Sequence, residues 1–364
     1  MTNRTPLAGS NVWTGAEIKN SKRWIRDMPA SAVAELDAAL AHVKRKGIDW
    51  SQITRADFPI SGLDGLLTDI ADELENGVGI MKLRGFPVDR YQEDDLRRLY
   101  FGLGTHLGTP VFQNRSGELM RAIRDEGAHV GRTYGETKDQ KGTTFLSSYA
   151  RTLTNGGLRF HTDRTDVVGL LCVRQARKGG VSTLASTPAI HNAILARRPD
   201  LLDALFTDYW RSRFGEEGTG KDGQGNDGGG TSRATAYPLP IFGVRDGKFT
   251  SHYSLTFIEA AQLAPDVPKL SAAQKEAIDV LMATAQELCF EMTLEPGDLQ
   301  LINSHVTYHG RTPFEDDAAS GHDRLLLRIW LTMPNNRPLP AGHEILWRNI
   351  EAGQPRGGIQ QVAI

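Results

Sequence analysis

Cysteine is scarce in this chain: there are two, Cys172 and Cys289, far apart and each inside an apolar run. That spacing excludes a disulfide framework and predicts two buried free thiols in a reducing cytoplasm, a single bridge between them being the alternative. Long apolar runs are missing as well: nothing approaches the roughly 20 residues of a membrane-spanning helix. Residues 1–10 lack the apolar core of a signal peptide, so a cytoplasmic location is expected. Nor does one sign of charge prevail. The 42 Lys and Arg against 44 Asp and Glu give a formal net charge of -2, with no basic footprint for nucleic acid and no polybasic patch for a membrane. What is there is an ordinary composition, 39% apolar and 24% charged over 364 residues, enough to bury a large core. Without internal repeats or a clear linker, one domain over 1–364 is expected, with a small molecule as its partner. Oligomeric state is left open, a homo-oligomer included.

Polar, Pro- and Gly-bearing residues predict a loosely held N-terminal arm over 1–30. Residues 31–103 read as a helical part with one strand. Val33, Leu36, Leu40 and Val43 recur at helical spacing, as do Leu63, Leu66, Leu67, Ile70 and Leu74. A strand is expected over 78–86 and a third helix over 91–103, broken by Gly104. Between 104 and 333 strands prevail, near 158–163, 166–173, 181–186, 237–244, 249–257, 290–294, 299–303 and 324–333. Helices are expected from Thr187 as N-cap with Pro188 first inside, over 200–210, and over 271–288. A Pro- and Gly-rich tail covers 334–364. Eight of the nineteen residues over 215–233 are glycine and none is large and apolar, so a flexible insertion is expected, either a lid or a surface loop without a role. Its G-x-x-x-x-G-K spelling is not a phosphate loop: Asp222 stands where Ser or Thr should bind magnesium, and no apolar strand precedes it.

Chemistry concentrates elsewhere. In a strand, residues i and i+2 share a face, so His161 and Asp163 reach one ion from one side. A lone His-x-Asp is more often a surface pair or a satisfied hydrogen bond. His309 supplies a second imidazole, with His305 as its rival, and two imidazoles plus one carboxylate make a facial iron site. The same set also suits zinc. Other polar residues keep it company: a Gly179-Gly180 turn leading into Ser182 and Thr183, the Pro296-Gly297-Asp298 turn, and Arg324 with Arg328.

Five stretches in order over residues 160–330 carry a resemblance: Phe160-His161-Thr162-Asp163, Gly179-Gly180-Val181-Ser182, Glu295-Pro296-Gly297-Asp298-Leu299, Val306-Thr307-Tyr308-His309-Gly310-Arg311 and Arg324-Leu325-Leu326-Leu327-Arg328. They resemble the taurine dioxygenase-like branch of the Fe(II)/2-oxoglutarate-dependent oxygenases, and Arg84-Gly85-Phe86 resembles the end of that family's early strand. The resemblance implies a mainly β core with helices (α+β): a double-stranded β-helix, or jelly roll, of the clavaminate synthase-like kind over 104–333. It implies Fe(II) on His161, Asp163 and His309, with 2-oxoglutarate and O2 as cosubstrates. Arg324 then pairs the distal carboxylate of 2-oxoglutarate, a role that suits a guanidinium fork that keeps its charge. The hydroxyl partner is Ser182 by spacing or Thr183 by residue type, and only one of the two faces the site. Arg328 lies near the cosubstrate's other carboxylate or the substrate's anion; the alternative is a strand residue pairing an acid elsewhere.

The implied reaction oxidises an unactivated C–H bond of a small molecule, anionic or amino-acid-like, releasing succinate and CO2. Hydroxylation is the default, with desaturation or ring formation left open; the carboxylate ligand argues against halogenation. Candidate substrate contacts are Arg121, Arg124, Tyr134, Arg151, Asn155, Arg164 and Arg311, with Asp166 available to an amine. Two other classes are weighed: a zinc hydrolase on the same ligands, which has no use for Arg324 and Arg328, and a non-catalytic ligand-binding barrel, which has no reason to keep three ligands.

Overall fold

Period-two alternation along Val167–Arg174 decides how the molecule is layered: Val168 and Cys172 face one core, Val167 and Leu171 another. In the computed structural model, which describes residues 4–139, 141–215 and 236–359, this strand lies inside a seven-stranded sheet. The order runs Ile25–Asp27, Ile80–Arg84, Leu299–Asn303, Val167–Arg174, Leu325–Thr332 and Thr109–Pro110, with Met120–Ile123 also pairing Leu325–Thr332. Ile25–Asp27 runs parallel to its neighbour; the other pairs are antiparallel. A four-stranded antiparallel sheet has the order Phe290–Met292, Ser182–Ser186, Thr307–Arg311 and Leu158–His161.

The two sheets share an inner core. Val168, Cys172, Ile302, Leu326 and Trp330 from the larger meet Leu184, Phe290 and Met292 from the smaller. On the larger sheet's outer face, Leu301, Leu327 and Ile329 pack against helices Ala32–Arg45, Asp64–Glu75 and Glu93–Leu107 through Leu36, Ile70 and Leu99. On the smaller sheet's outer face, Phe160, Ala185 and Tyr308 pack against Thr187–Arg197 and Ala272–Leu288 through Ile190, Ile194 and Leu281. Polar side chains on the inner faces of the strands are therefore held between two apolar layers. No helix among the described residues is long and apolar enough to cross a membrane.

Several local expectations need correction. The third helix runs through Gly104 to Leu107, and a β-carbon at Gly102 would fall 2.4 Å from the Phe58 ring, so glycine serves close packing there. Ser186, not Thr187, caps the Thr187–Arg197 helix, its Oγ accepting from the Ala189 N–H at 3.1 Å. The helix expected over 200–210 ends at Leu205, and Asp208–Ser212 is a strand paired with Ala236–Pro240. Lys248–Ser251 is a short strand, and Leu255–Leu263 is a helix instead of its continuation. The opening residues are no loose arm: Trp13, Ile18 and Trp24 are buried, and the Trp13 indole N–H donates to Val78 O at 2.8 Å. Nor is the tail loose over its described part, where Leu346, Trp347 and Arg356 are buried. The expected flexible insertion over 215–233 lies outside the described residues except for Gly215. Cys172 is buried and Cys289 half-buried, both unpaired.

Candidate metal and cosubstrate site

Phe160 faces the outer core of the smaller sheet, which turns His161 inward; His309 sits directly opposite it in register on Thr307–Arg311. The two imidazole centroids are 4.2 Å apart. Asp163 Oδ1 lies 3.7 Å from His161 Nε2, and Asp163 Oδ2 lies 3.8 Å from His309 Nε2. These separations are too long for strong hydrogen bonds, and one potential ligand atom from each of the three residues falls within 4.8 Å of the other two. Two imidazoles and a carboxylate converging at that spacing fit a divalent cation between them.

Surrounding groups hold the three in a ligand-ready state. His161 Nδ1 is 2.9 Å from Arg159 O, which places the ring proton on Nδ1 and leaves the Nε2 lone pair for an ion. Burial, then the neighbouring His161, pushes the His309 imidazole down to about 3, so it is neutral at ordinary pH. Burial pushes the Asp163 carboxyl up, but His309, the Arg328 charge and the Trp330 N–H outweigh it and hold it below the usual range. His305 is not part of the cluster: its Nε2 is 2.9 Å from Asp166 Oδ1 and its Nδ1 is 2.9 Å from Thr250 Oγ1.

A cationic wall stands along the same inner side. Register places Ser182 opposite Arg311 and Leu184 opposite His309, so Ser182 shares the inward face, while Thr183 lies opposite Gly310 on the other. Ser182 Oγ donates to Gln300 Oε1 at 3.2 Å. Arg324 is 6% exposed, lies 5.1 Å over the Phe314 ring, and leaves a buried Nη1 without a partner. Burial drops its guanidinium to about 10. An unpaired buried guanidinium is costly and is what an incoming carboxylate relieves. Gly180 makes room for it: its φ is +68°, and a β-carbon there would crowd Arg324 Nε at 3.0 Å. Arg328 donates from Nε to Gln113 Oε1 at 2.6 Å, lies 5.2 Å over the Trp330 ring, and makes no ion pair among the described residues. Arg328, Asn114, Tyr149 and Ile359 line a cavity of about 50 Å³ together with His161 and Asp163.

The candidate substrate residues separate into groups. Arg121 is filled by Glu118, Glu126 and the Tyr134 hydroxyl at 2.7–2.8 Å, and Arg124 lines a separate hollow with it. Arg311 spends its fork on the carbonyls of Thr152, Thr154 and Gly156, so it shapes a loop instead of meeting a ligand. Asp166 is no receptor for an amine: Arg356, His305, Thr332, Asn336 and the Met333 N–H occupy its oxygens. Asn155 is exposed and lines neither cavity that His161 lines. Arg164 lines the small cavity and Arg151 a larger one beside it. Sequence reasoning missed Trp330, although its place two residues after Arg328 gives it the same strand face. It also missed Asn114, Tyr149 and Ile359, which carry no local signal.

The model of the taurine catabolism dioxygenase TauD, TfdA family matches residues 45–330. The chain is similar to FR-33289 synthase of Streptomyces rubellomurinus, 30% identical over 344 residues that cover 93% of each protein. It is similar in fold to asparagine oxygenase solved with Fe(II), 2S,3S-3-hydroxyasparagine and succinate, at 17% identity and TM-score 0.61, covering 85% of this chain and 93% of that one. The non-heme iron oxygenase OrfP, solved with Fe and α-ketoglutaric acid, gives 16% identity and TM-score 0.56 over 85% of this chain and 94% of that one.

Proposed function

The chain belongs to the taurine catabolism dioxygenase TauD, TfdA family and is an iron- and 2-oxoglutarate-dependent oxygenase; we propose that it hydroxylates an unactivated C–H bond of a small molecule, anionic or amino-acid-like, releasing succinate and CO2. On this reading the two sheets are the halves of a double-stranded β-helix. His161, Asp163 and His309 hold Fe(II). When bound, the metal, 2-oxoglutarate and dioxygen supply the oxidation, and the protein supplies position and dryness.

Arg324 takes the distal carboxylate of 2-oxoglutarate as a bidentate pair, and Ser182 donates its hydroxyl to the same group. Thr183 has no part in this, because its side chain shares the outer face with Gly310. Arg328, held by Gln113, keeps a fixed positive charge beside Asp163 and orients an anionic group of substrate or cosubstrate. Trp330, Phe257 and Ile359 exclude water from the small cavity.

The observation that carries the reading is Arg324, a buried guanidinium without an ion pair among the described residues, one residue before the strand bearing Arg328 and Trp330. A zinc hydrolase on the same ligands has no use for it. The test is succinate release from the iron-loaded protein against a panel of amino acids, sulfonates and aryloxy acids. At least one compound is expected to raise succinate above the substrate-free rate. Arg324→Gln is expected to raise the half-saturating 2-oxoglutarate concentration roughly a hundredfold, the scale of losing one side of a buried charge pair. An unchanged requirement places the cosubstrate elsewhere.

A further inference from the structure

Ser148, Thr152 and His161 line two cavities at once. The one over Asp163 and Arg328 measures about 50 Å³, room for a reacting group but not for a whole organic molecule, given roughly 30 Å³ for a single water. The second, about 660 Å³, lies within the range of sites that enclose complete small ligands. A molecule reacting beside His161 therefore extends into the larger space.

Arg151 stands on the wall of that space, on the short helix Ser148–Thr152. Its Nε donates to Leu146 O at 3.1 Å, and its guanidinium lies 5.2 Å over the Phe145 ring. Those two contacts fix the side chain and leave both terminal nitrogens without a hydrogen bond or ion pair among the described residues. Acids nearby are already engaged. Glu259 fills the fork of Arg159 at 2.9 and 2.6 Å, and Asp139 accepts from the Lys141 and Thr143 N–H groups. Burial, and then the charge of Arg159, lowers the Arg151 guanidinium below the ordinary arginine value, against the opposing charge of Glu259. Leu255 and Leu263 give the same cavity an apolar side.

We propose that the large cavity is a subsite for the far end of the substrate, and that Arg151 determines specificity there by binding an oxyanion — a carboxylate, sulfonate or phosphonate — joined by an apolar segment on Leu255 and Leu263 to the carbon presented beside His161. The proposal rests on the oxygenase reading for its reaction, but its test measures binding alone, so the two fail separately.

The probes are hexanoate, hexanesulfonate and hexylphosphonate, titrated calorimetrically into the iron-free protein beside hexanol. At least one anion is expected to bind ten times more tightly than hexanol. Arg151→Gln is expected to weaken that anion about tenfold, Arg151→Lys to restore part of the loss, and Arg324→Gln to leave it unchanged. Loss of binding in Arg324→Gln instead seats the anion in the cosubstrate position and overturns the subsite. Binding that ignores Arg151→Gln, with the variant's melting curve intact, overturns it too, as does the failure of all three anions to bind.

Discussion

Trp330 donates its indole N–H to Asp163 Oδ2 at 3.1 Å, across 167 residues of sequence. The same ring lies beneath the Arg328 guanidinium, so one side chain aims the Asp163 carboxylate and carries the neighbouring cation. Trp330→Phe keeps an aromatic ring and loses the N–H. Equilibrium titration with Fe(II) is expected to show affinity lower by about 10–100-fold, the usual cost of losing an outer-sphere partner of a metal ligand. Unchanged affinity would show that Asp163 is aimed by other groups.

Ser182 and Thr183 make a paired test of register. Ser182→Ala is expected to raise the half-saturating 2-oxoglutarate concentration about tenfold, the scale of one hydrogen bond to a charged group. Thr183→Ala is expected to leave it within about twofold, since that hydroxyl lies on the face of Gly310. The reverse outcome would assign the cosubstrate's hydroxyl partner to the outer face of the strand.

Buried neutral histidines make the protein acid-sensitive well above the carboxylate range. Burial lowers His305 to about 4, against the opposing hydrogen bond to Asp166, and burial with the Arg211 charge lowers His343 to about 3. Because the unfolded imidazoles sit near 6.5, the unfolded chain takes up protons first as pH falls. Stability is whole above that value and declines until the folded-state values are reached. Between pH 6.5 and 5 each of the two costs up to about 2 kcal/mol. Urea midpoints of the metal-free protein are expected to fall steadily from pH 7 to pH 5, and a flat profile would refute the burial argument.

Arg356 and Asp166 form a buried pair, Nε to Oδ1 at 2.7 Å, with 0% and 3% of the respective side chains exposed. Arg356→Met leaves the carboxylate without its main counter-charge and is expected to cost about 3–5 kcal/mol in urea unfolding. Replacing both, with Asp166→Leu added, is expected to recover part of that loss, because no lone buried charge is left. Additive losses would show that the two act independently.

How far the sequence reaches is clearest in particular residues. His161 and His309 lie on strands, where spacing sets the face, whereas Asp163 falls two residues past Leu158–His161 and Arg324 one residue before Leu325–Thr332, so strand alternation does not account for their placement. The faces taken by Ser182 and Thr183 could not be assigned until pairing with Thr307–Arg311 fixed the register. Asp166 and Arg311 were misread for one reason: being near a ligand in sequence says nothing about which distant groups fill an oxygen or a fork. The partners of Arg311 are carbonyls around residue 154, and those of Asp166 include Arg356 and His305, all brought in by tertiary packing. Trp13 and Trp24 were hidden among polar neighbours, where two buried indoles leave no periodic trace.

Arg356 also bears on the order in which the site is built during synthesis. Beyond it, the Gly358 N–H donates to Arg164 O at 2.7 Å and the Ile359 N–H to Phe112 O at 2.8 Å, and Ile359 lines the cavity over Asp163. About two hundred residues separate His161 from Ile359, which a ribosome adds in roughly 10–40 s at about 5–20 residues per second. Throughout that interval the nascent chain carries His161 and Asp163 without the Ile359 side of the cavity they line. The Ile359 side of the cavity is thus laid down long after the two residues it faces.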